Sequence, residues 1–318
     1  MRFAPPGTGT PITKGYSPKS LMHLQAEQVS FHYDDDGEPV LKDVSFELRG
    51  GECVALAGPS GSGKSTLAQL LNGLLSPTRG RLLAEGRPYP KDAAGLRDLR
   101  RRVGLVFQFP EAQIFEATVH DEVAFAARRQ GVSEAEVPGR VEAALAAVGL
   151  DPEAFRPRNP LKLSGGEDRL ITLASLLVVD PDWLILDEPT LGLDGAHTAR
   201  VREMIRARQA RGRGVVLITH DLELTLELCP RILALRRGEL AWDGSPRELL
   251  VRPDLESAFG LAAPLTVVLW QRLAGAFPEA PPDDPTRLEA WVEAQDRDRR
   301  KKIPGVLQQF AAGGRLIR

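Results

Sequence analysis

Three short segments carry residue types that handle phosphate. The run Gly58-Pro59-Ser60-Gly61-Ser62-Gly63-Lys64-Ser65-Thr66 fits the spacing G-x-x-x-x-G-K-[ST]. Its glycines let backbone N–H groups curl round phosphate oxygens without Cβ clashes. The helix expected after it adds a positive N-terminal end. Lys64 places a cation between β- and γ-phosphates, and Ser65 offers a hydroxyl to Mg²⁺. Downstream, Leu184-Ile185-Leu186 carries Asp187 and Glu188 out of a strand, followed by Pro189-Thr190. Asp187 suits Mg²⁺ coordination. Glu188 suits activation of a water in line with the γ-phosphate. Alone, such a pair reads equally well as turn carboxylates opening a helix; the phosphate loop upstream favours the chemical reading. Between the two lies Leu163-Ser164-Gly165-Gly166-Glu167. Ser164 fits a helix N-cap with Glu167 at the capping-box position, and a helix start with two glycines is an anion site.

Single residues at strand ends complete the set. Gln108 can turn its amide to Mg²⁺ or to the attacking water. His220, before Asp221, can donate a hydrogen bond to the γ-phosphate. Tyr33 can stack on adenine. Each has an ordinary alternative: a surface Gln, a capping His, a packing Tyr.

The elements that position them follow from apolar patterning. Leu24–Tyr33 and Val40–Leu48 read as strands around the turn-prone Asp34-Asp35-Asp36-Gly37. Cys53–Ala57 is a short continuous apolar run entering the glycine-rich loop, as in a buried parallel strand. A helix follows over Thr66–Leu75, then a strand over Val103–Phe107. Residues from about 109 to 163 turn helical, notably Val119–Arg129 and Glu134–Val148, and read as an inserted helical subdomain. Strand patterns return at Trp183–Leu186 and Val215–Ile218. Arg231–Leu235 and Leu240–Trp242 read as a hairpin. Alternating strands and helices predict an α/β fold with a parallel sheet covered on both faces. The domain expected to carry the chemistry spans 24–252. Residues 1–23 read as a disordered tail, and Met22 is a possible alternative start. A change of composition near 253 marks a small, separate C-terminal extension over 253–318, with a helical pattern at Leu265–Leu273.

Bulk properties narrow the class. Over 318 residues the formal net charge is −2, so no global electrostatic pull toward nucleic acid exists. Hydrophobic residues make up 42%, enough for a core, yet no apolar run approaches the roughly 18–20 residues of a membrane span. The N-terminus lacks the apolar stretch of a secretory signal. The two cysteines, Cys53 and Cys229, are far apart and read as reduced thiols rather than a metal or redox motif. A cytosolic chain that works at a membrane through partners is expected. The basic run Arg297, Arg299, Arg300, Lys301, Lys302 reads as a solvated end, or as a contact to anionic lipid or a partner.

The order of these segments resembles the ABC ATPase family: A-loop (Tyr33), Walker A (Gly58 to Thr66), Q-loop (Gln108), signature (Leu163 to Glu167), Walker B (Asp187, Glu188), D-loop (Gly192-Leu193-Asp194) and H-loop (His220). The resemblance spans about 24–250. It implies a P-loop NTPase of ABC type, with a parallel-sheet core, an antiparallel β subdomain and a helical subdomain. It also implies that the signature of one subunit closes on ATP held by another, in a homodimer or a heterodimer with a similar ATPase. Glu167 stands where the family signature usually has Gln, Asp168 where it has Gln or Lys, and Leu170 where it normally has Arg. The missing arginine leaves open how strongly the signature helix packs and whether both composite sites are equally active.

The run Phe107-Gln108-Phe109-Pro110-Glu111-Ala112-Gln113-Ile114-Phe115, with Asp121-Glu122-Val123-Ala124-Phe125 after it, resembles the energy-coupling factor and cobalt/nickel importer ATPases. So does the extension, through Gly260-Leu261, Pro264 and Leu288-Glu289-Ala290. That resemblance implies import of a vitamin or transition-metal ion, a transmembrane scaffold subunit, a membrane substrate-capture protein, and a peripheral position on the cytoplasmic face of the membrane. It makes Ile114 and Phe115 apolar contacts beside a groove for coupling helices; helix core is the plain alternative.

Overall fold

The computed structural model describes residues 22–34, 37–106 and 114–276, with Trp291, Val292, Ala294 and Ile303 beyond them. Gln108, most of the expected N-terminal tail and the basic run 297–302 lie outside the described residues.

Two sheets share the core. The first is antiparallel, in the order β2-β1-β4-β5, from Leu24–Phe31 (β1), Leu41–Leu48 (β2), Arg79–Ala84 (β4) and Arg87–Pro88 (β5). The second has the order β10-β9-β3-β8-β7-β6. Its strands are Cys53–Ala57 (β3), Val103–Val106 (β6), Trp183–Asp187 (β7), Gly214–Ile218 (β8), Arg231–Arg236 (β9) and Glu239–Gly244 (β10). All neighbours in it pair parallel except the edge hairpin β9–β10.

The side-chain period of two divides the parallel strands between two apolar clusters. Ala55, Ala57, Leu184, Leu186, Val215 and Leu217 face the helical side. Val54, Leu56, Trp183, Ile185, Val216 and Ile218 face the antiparallel sheet and α1 (Lys64–Leu71). This is why these strands read as unbroken apolar runs. The helical side is built from α3 (Val119–Arg129), α4 (Val137–Ala147), a short α5 (Pro152–Phe155) and α6 (Gly165–Leu177), with α7 (Gly195–Ala210) and α8 (Leu222–Leu228) beyond the strands β7 and β8. The predicted bounds of α3 match the observed ones. Helix α1 begins at Lys64, two residues earlier than its apolar pattern suggests, because the glycine turn rather than the apolar stripe sets its start.

The expected boundaries shift at both ends. Met22 is buried, and its carbonyl accepts the Trp183 indole N–H at 2.6 Å, so the packed core reaches back past the predicted limit at 23. The extension is also not separate at 253. After α9 (Pro246–Leu250), a π-helical turn at Leu255–Phe259 and the start of α10 (Leu265–Ala276) bury Leu255, Phe259, Leu261 and Val267 in the same cluster as β3. Among the described residues, Leu273 and Ile303 form a separate cluster, with Leu269, Trp270, Trp291 and Val292 packed on it. Helix α2 (Ala93–Arg102) was not evident in the sequence pattern. Among the described residues no helix is long and apolar enough to cross a membrane.

Candidate ATP site

The phosphate loop leaves the carboxyl end of β3, where ligands of open α/β sheets sit. Two glycines are required by contact as well as by conformation. Gly58 has φ +145, and a Cβ there would lie 2.2 Å from the Leu235 carbonyl of β9. Gly63 has φ +101, and a Cβ there would lie 2.6 Å from Leu41 Cδ2. The loop is thus wedged between both sheets. Gly63 is also the N-cap of α1 and offers no side-chain acceptor to the helix's first N–H groups. These point into the loop as anion donors.

Lys64 is buried, and its Nζ donates to the carbonyls of Gly58 at 2.8 Å and Pro59 at 3.0 Å. Burial pushes its pKa down; the nearby carboxylates of Asp187 and Glu188 pull the other way. Ser65 Oγ donates to Asp187 Oδ2 at 2.9 Å. Burial raises the Asp187 pKa, against the Ser65 hydrogen bond and the Lys64 charge. Ser60 and Gly61 are exposed at the loop tip, whereas Ser62 is buried and its hydroxyl has no protein partner among the described residues.

Glu188 stands one residue beyond the β7 pairing with φ +50, a conformation uncommon for a side chain this large. Its backbone N–H donates to the Ile218 carbonyl at 2.8 Å, which clamps it to the end of β8. Its carboxylate accepts from the His220 N–H at 2.8 Å and from Thr219 Oγ at 3.1 Å. The His220 Nε2 lies 3.7 Å from Glu188 Oε1, on a largely exposed ring. Strand ends β3, β7 and β8 therefore bring Lys64, Ser65, Asp187, Glu188 and His220 together. Tyr33 is 61% exposed, stands edge-on to Phe31 at 4.9 Å, and its hydroxyl lies 3.1 Å from Thr66 Oγ1. The exposed ring thereby stands beside the phosphate loop.

The signature segment lies at the start of α6, away from this cluster of contacts. The expected capping box is present: Glu167 N–H donates to Ser164 Oγ at 3.3 Å, and Ser164 N–H donates to Glu167 Oε2 at 2.9 Å. Arg158 adds a charged hydrogen bond to Glu167 Oε1 at 3.0 Å. Burial works to raise the Glu167 pKa, but the Ser164 and Arg158 hydrogen bonds outweigh it and hold the carboxyl below its usual range. A Cβ on Gly165 would meet nothing within 4 Å, so this helix start opens outward. Leu163 packs partly on the main core, and Gly166 sits over His197 and Leu193. Asp194 caps α7 through the His197 N–H at 2.8 Å.

Leu170 is fully buried among apolar groups, but the helix is not short of an arginine. Arg169, one residue earlier and buried, donates to the Glu188 carbonyl at 3.1 Å and to the Leu191 carbonyl. Helix α6 is thus tied to the segment after β7 from the neighbouring position.

Phe115 is 60% exposed and stacks edge-to-face on Phe125 at 4.8 Å, while Ile114 is half-buried. The buried Glu122 carboxylate accepts the N–H groups of Phe115 at 3.1 Å and Glu116 at 2.9 Å. Sequence reading gave no site role to Glu122, Thr219 or Arg169. Thr219 stands directly before His220 and was within reach; the partners of Glu122 and Arg169 are set by tertiary contacts.

Among the described residues no group of three or more His, Cys, Asp or Glu gathers as a metal cage. The Ser65 and Asp187 oxygens, 2.9 Å apart, fit a hard cation that takes its remaining oxygens from a nucleotide and water.

Several known proteins are similar to this chain in sequence and fold. The ABC transporter family matches residues 41–191. The energy-coupling factor transporter ATP-binding protein EcfA2 of Symbiobacterium thermophilum is 42% identical over 85% of this chain and 94% of its own length. That of Clostridium tetani is 35% identical over 80% of this chain and 87% of its own. Among solved structures, cbiO1 of Clostridium perfringens, part of the ABC transporter complex cbiONQ, superposes with a TM-score of 0.67 at 30% identity, covering 80% of this chain and 95% of that one. A dimeric ATP-binding cassette in a post-hydrolysis state bound to ADP and Pi gives 0.64 at 28% identity, over 70% and 98%. The chain belongs to the energy-coupling factor transporter ATP-binding proteins of the ABC transporter family.

Proposed function

We propose that this chain hydrolyses ATP to power import of a vitamin or a transition-metal ion, as one of two ATPase subunits on the cytoplasmic face of a membrane transporter. The observation that carries the reading is the meeting of Lys64, Ser65, Asp187, Glu188 and His220 at the carboxyl ends of β3, β7 and β8. In this reading the N–H groups of Gly58 to Ser65 and the Lys64 ammonium hold the β- and γ-phosphates, and Thr66 helps seat Tyr33 against adenine. Ser65, Asp187 and Gln108 would hold Mg²⁺, which neutralises phosphate charge when bound. Glu188 accepts a proton from the water that attacks the γ-phosphorus as the bond to ADP breaks. His220 donates to the γ-phosphate, and the Glu188 carboxylate is aimed by the His220 N–H and Thr219.

The outward-facing helix start at Ser164, Gly165 and Gly166, with Leu163 and Glu167 fixing its geometry, supports a composite site completed by a second ATPase subunit, a copy of this chain or a similar one. Asp194 would lie at the same junction. The exposed Phe115–Phe125 pair, with Ile114, supports a groove for the coupling helices of a transmembrane scaffold subunit, which works with a substrate-capture membrane protein. The shared apolar cluster supports counting the start of the extension, through Val267, with the ATPase.

Recruitment to membranes tests the coupling half of this reading. Changing Ile114→Asp together with Phe115→Asp should abolish co-sedimentation with vesicles holding the scaffold subunit and leave ATP affinity unchanged. Undiminished recruitment would remove the groove from the account.

A further inference from the structure

The helix that follows His220 is only seven residues long, Leu222–Leu228, and it is moored from outside. Glu223, in its first turn, accepts the Thr266 backbone N–H at 2.9 Å through Oε1 and the Thr266 hydroxyl at 2.6 Å through Oε2. Thr266 is the second residue of α10, in the C-terminal extension. The same extension touches the phosphate loop. Gly260, at φ +67, lies so close to Pro59 that an added Cβ would sit 3.2 Å from the proline Cγ. Two residues before it, the Ala258 carbonyl accepts from Arg236, the neighbour of the Leu235 carbonyl against which Gly58 rests. Phe259 is held by Trp242, edge-on at 6.0 Å, and by the Arg252 guanidinium at 5.4 Å.

Residues 258–266 thus bridge the two segments whose separation matters for hydrolysis: the loop proposed to hold phosphate and the loop carrying His220. At the second anchor, the contacts run on without a gap. Asp221 caps α8 by accepting the Leu224 N–H at 2.9 Å, its own N–H donates to Thr219 Oγ1 at 3.0 Å, and Thr219 donates to Glu188. A shift of the first turn of α8 would be felt at the Glu188 carboxylate.

We infer that the Glu223–Thr266 pair and the Gly260–Pro59 contact are positioning elements of the ATPase site: the C-terminal extension is a strap that sets His220 and Glu188 against the phosphate loop. The inference rests on the reading of His220 as a partner of the γ-phosphate. It separates two effects. The Glu223–Thr266 anchor acts on the hydrolytic groups and governs kcat. The Gly260 anchor acts on the loop that holds nucleotide and governs KM. A pair that merely capped α10 would alter thermal stability and move neither constant selectively.

Steady-state ATPase assays on the assembled transporter test it. Thr266→Val should lower kcat about fivefold with KM within about twofold of the parent, and Thr266→Ser should restore kcat. Gly260→Ala should raise KM about threefold with kcat little changed. In a His220→Ala background, single-turnover rates should show a smaller loss from Thr266→Val than in the parent, because one of the two anchored groups is already gone and only Glu188 remains to be displaced. Parent-like kcat in Thr266→Val, an equal loss in kcat and nucleotide affinity, or full additivity with His220→Ala would overturn the strap. If His220→Ala itself hydrolyses ATP at the parent rate, the reading of His220 fails instead, a result distinct from the others.

Discussion

Two helix starts in this chain carry the proposed anion sites, and they are built differently. At α1 the N-cap is a left-handed glycine with no side-chain acceptor, and the lysine that follows folds onto the carbonyls of its own loop. At α6 the N-cap is Ser164, locked in a reciprocal capping box with Glu167 and braced by Arg158. The first leaves its N–H groups for a ligand and surrounds them with a buried cation and two buried carboxylates. The second fixes its own geometry and presents bare glycine to the outside. A loop that must enclose phosphate keeps its donors uncommitted; a loop that must meet a ligand held elsewhere is made rigid first. This contrast underlies the reading of the site as shared between two subunits.

Breaking either start should have different consequences. Lys64→Ala should abolish nucleotide binding and with it hydrolysis. Gly165→Asp should cut hydrolysis by at least about 100-fold through charge repulsion and bulk at the open face, while ATP affinity moves less than about threefold. Equilibrium binding of a fluorescent ATP analogue, run beside phosphate release, separates the two. Equal loss of affinity in both variants would erase the distinction.

The next effect is on the fold. Gly58→Val should destabilise the protein by about 2–4 kcal/mol, since its side chain would enter the space of the Leu235 carbonyl at a positive φ. Gly165→Ala, where a Cβ meets nothing, should change stability by less than about 0.5 kcal/mol. Urea unfolding of the two variants checks this.

A smaller effect is expected at the cap. Glu167→Ala should cost about 1 kcal/mol by opening the capping box, whereas Glu167→Gln keeps the hydrogen bond to Ser164 and loses chiefly the Arg158 charge. Thermal melts in low and high salt would resolve the two contributions.

The smallest is a pH signature of the phosphate loop. The folded-state pKa of Asp187 is raised by burial, so the native state holds its proton more tightly than the unfolded chain. The stability linked to that proton is fully present below pH 3.8, the ordinary value, and is lost as pH rises through the raised native value. Asp187→Asn should therefore raise the melting temperature of the nucleotide-free protein near neutral pH, with the gain shrinking in acid. A gain independent of pH would point to packing instead of charge.

Sequence alone reached far into this molecule where function is local in the chain. The glycine-rich loop, the Asp187-Glu188 pair and the Ser164–Glu167 box each depend on residues within a few positions, so spacing reveals them. The unbroken apolar runs of β3, β7 and β8 disclosed a parallel sheet because both faces are covered. Helix α2 escaped because it buries only Leu99, leaving no apolar stripe to read. Strand β4 escaped for a similar reason, with its first three residues exposed. The Arg169 contact does not show in the motif spacing, because a one-residue displacement along a helix turns a side chain by about 100° and changes what it can reach. The Glu223–Thr266 pair spans 43 positions and is created only by folding.

The shared site itself is tested most directly by Glu188→Gln with saturating Mg-ATP, examined by sedimentation velocity alone and with a co-expressed partner ATPase. Removing the proton acceptor while keeping the site's shape should halt the cycle after ATP has bound, and the protein should sediment as a species of two ATPase subunits holding unhydrolysed ATP. A single subunit, fully loaded with ATP in both experiments, would contradict the composite site.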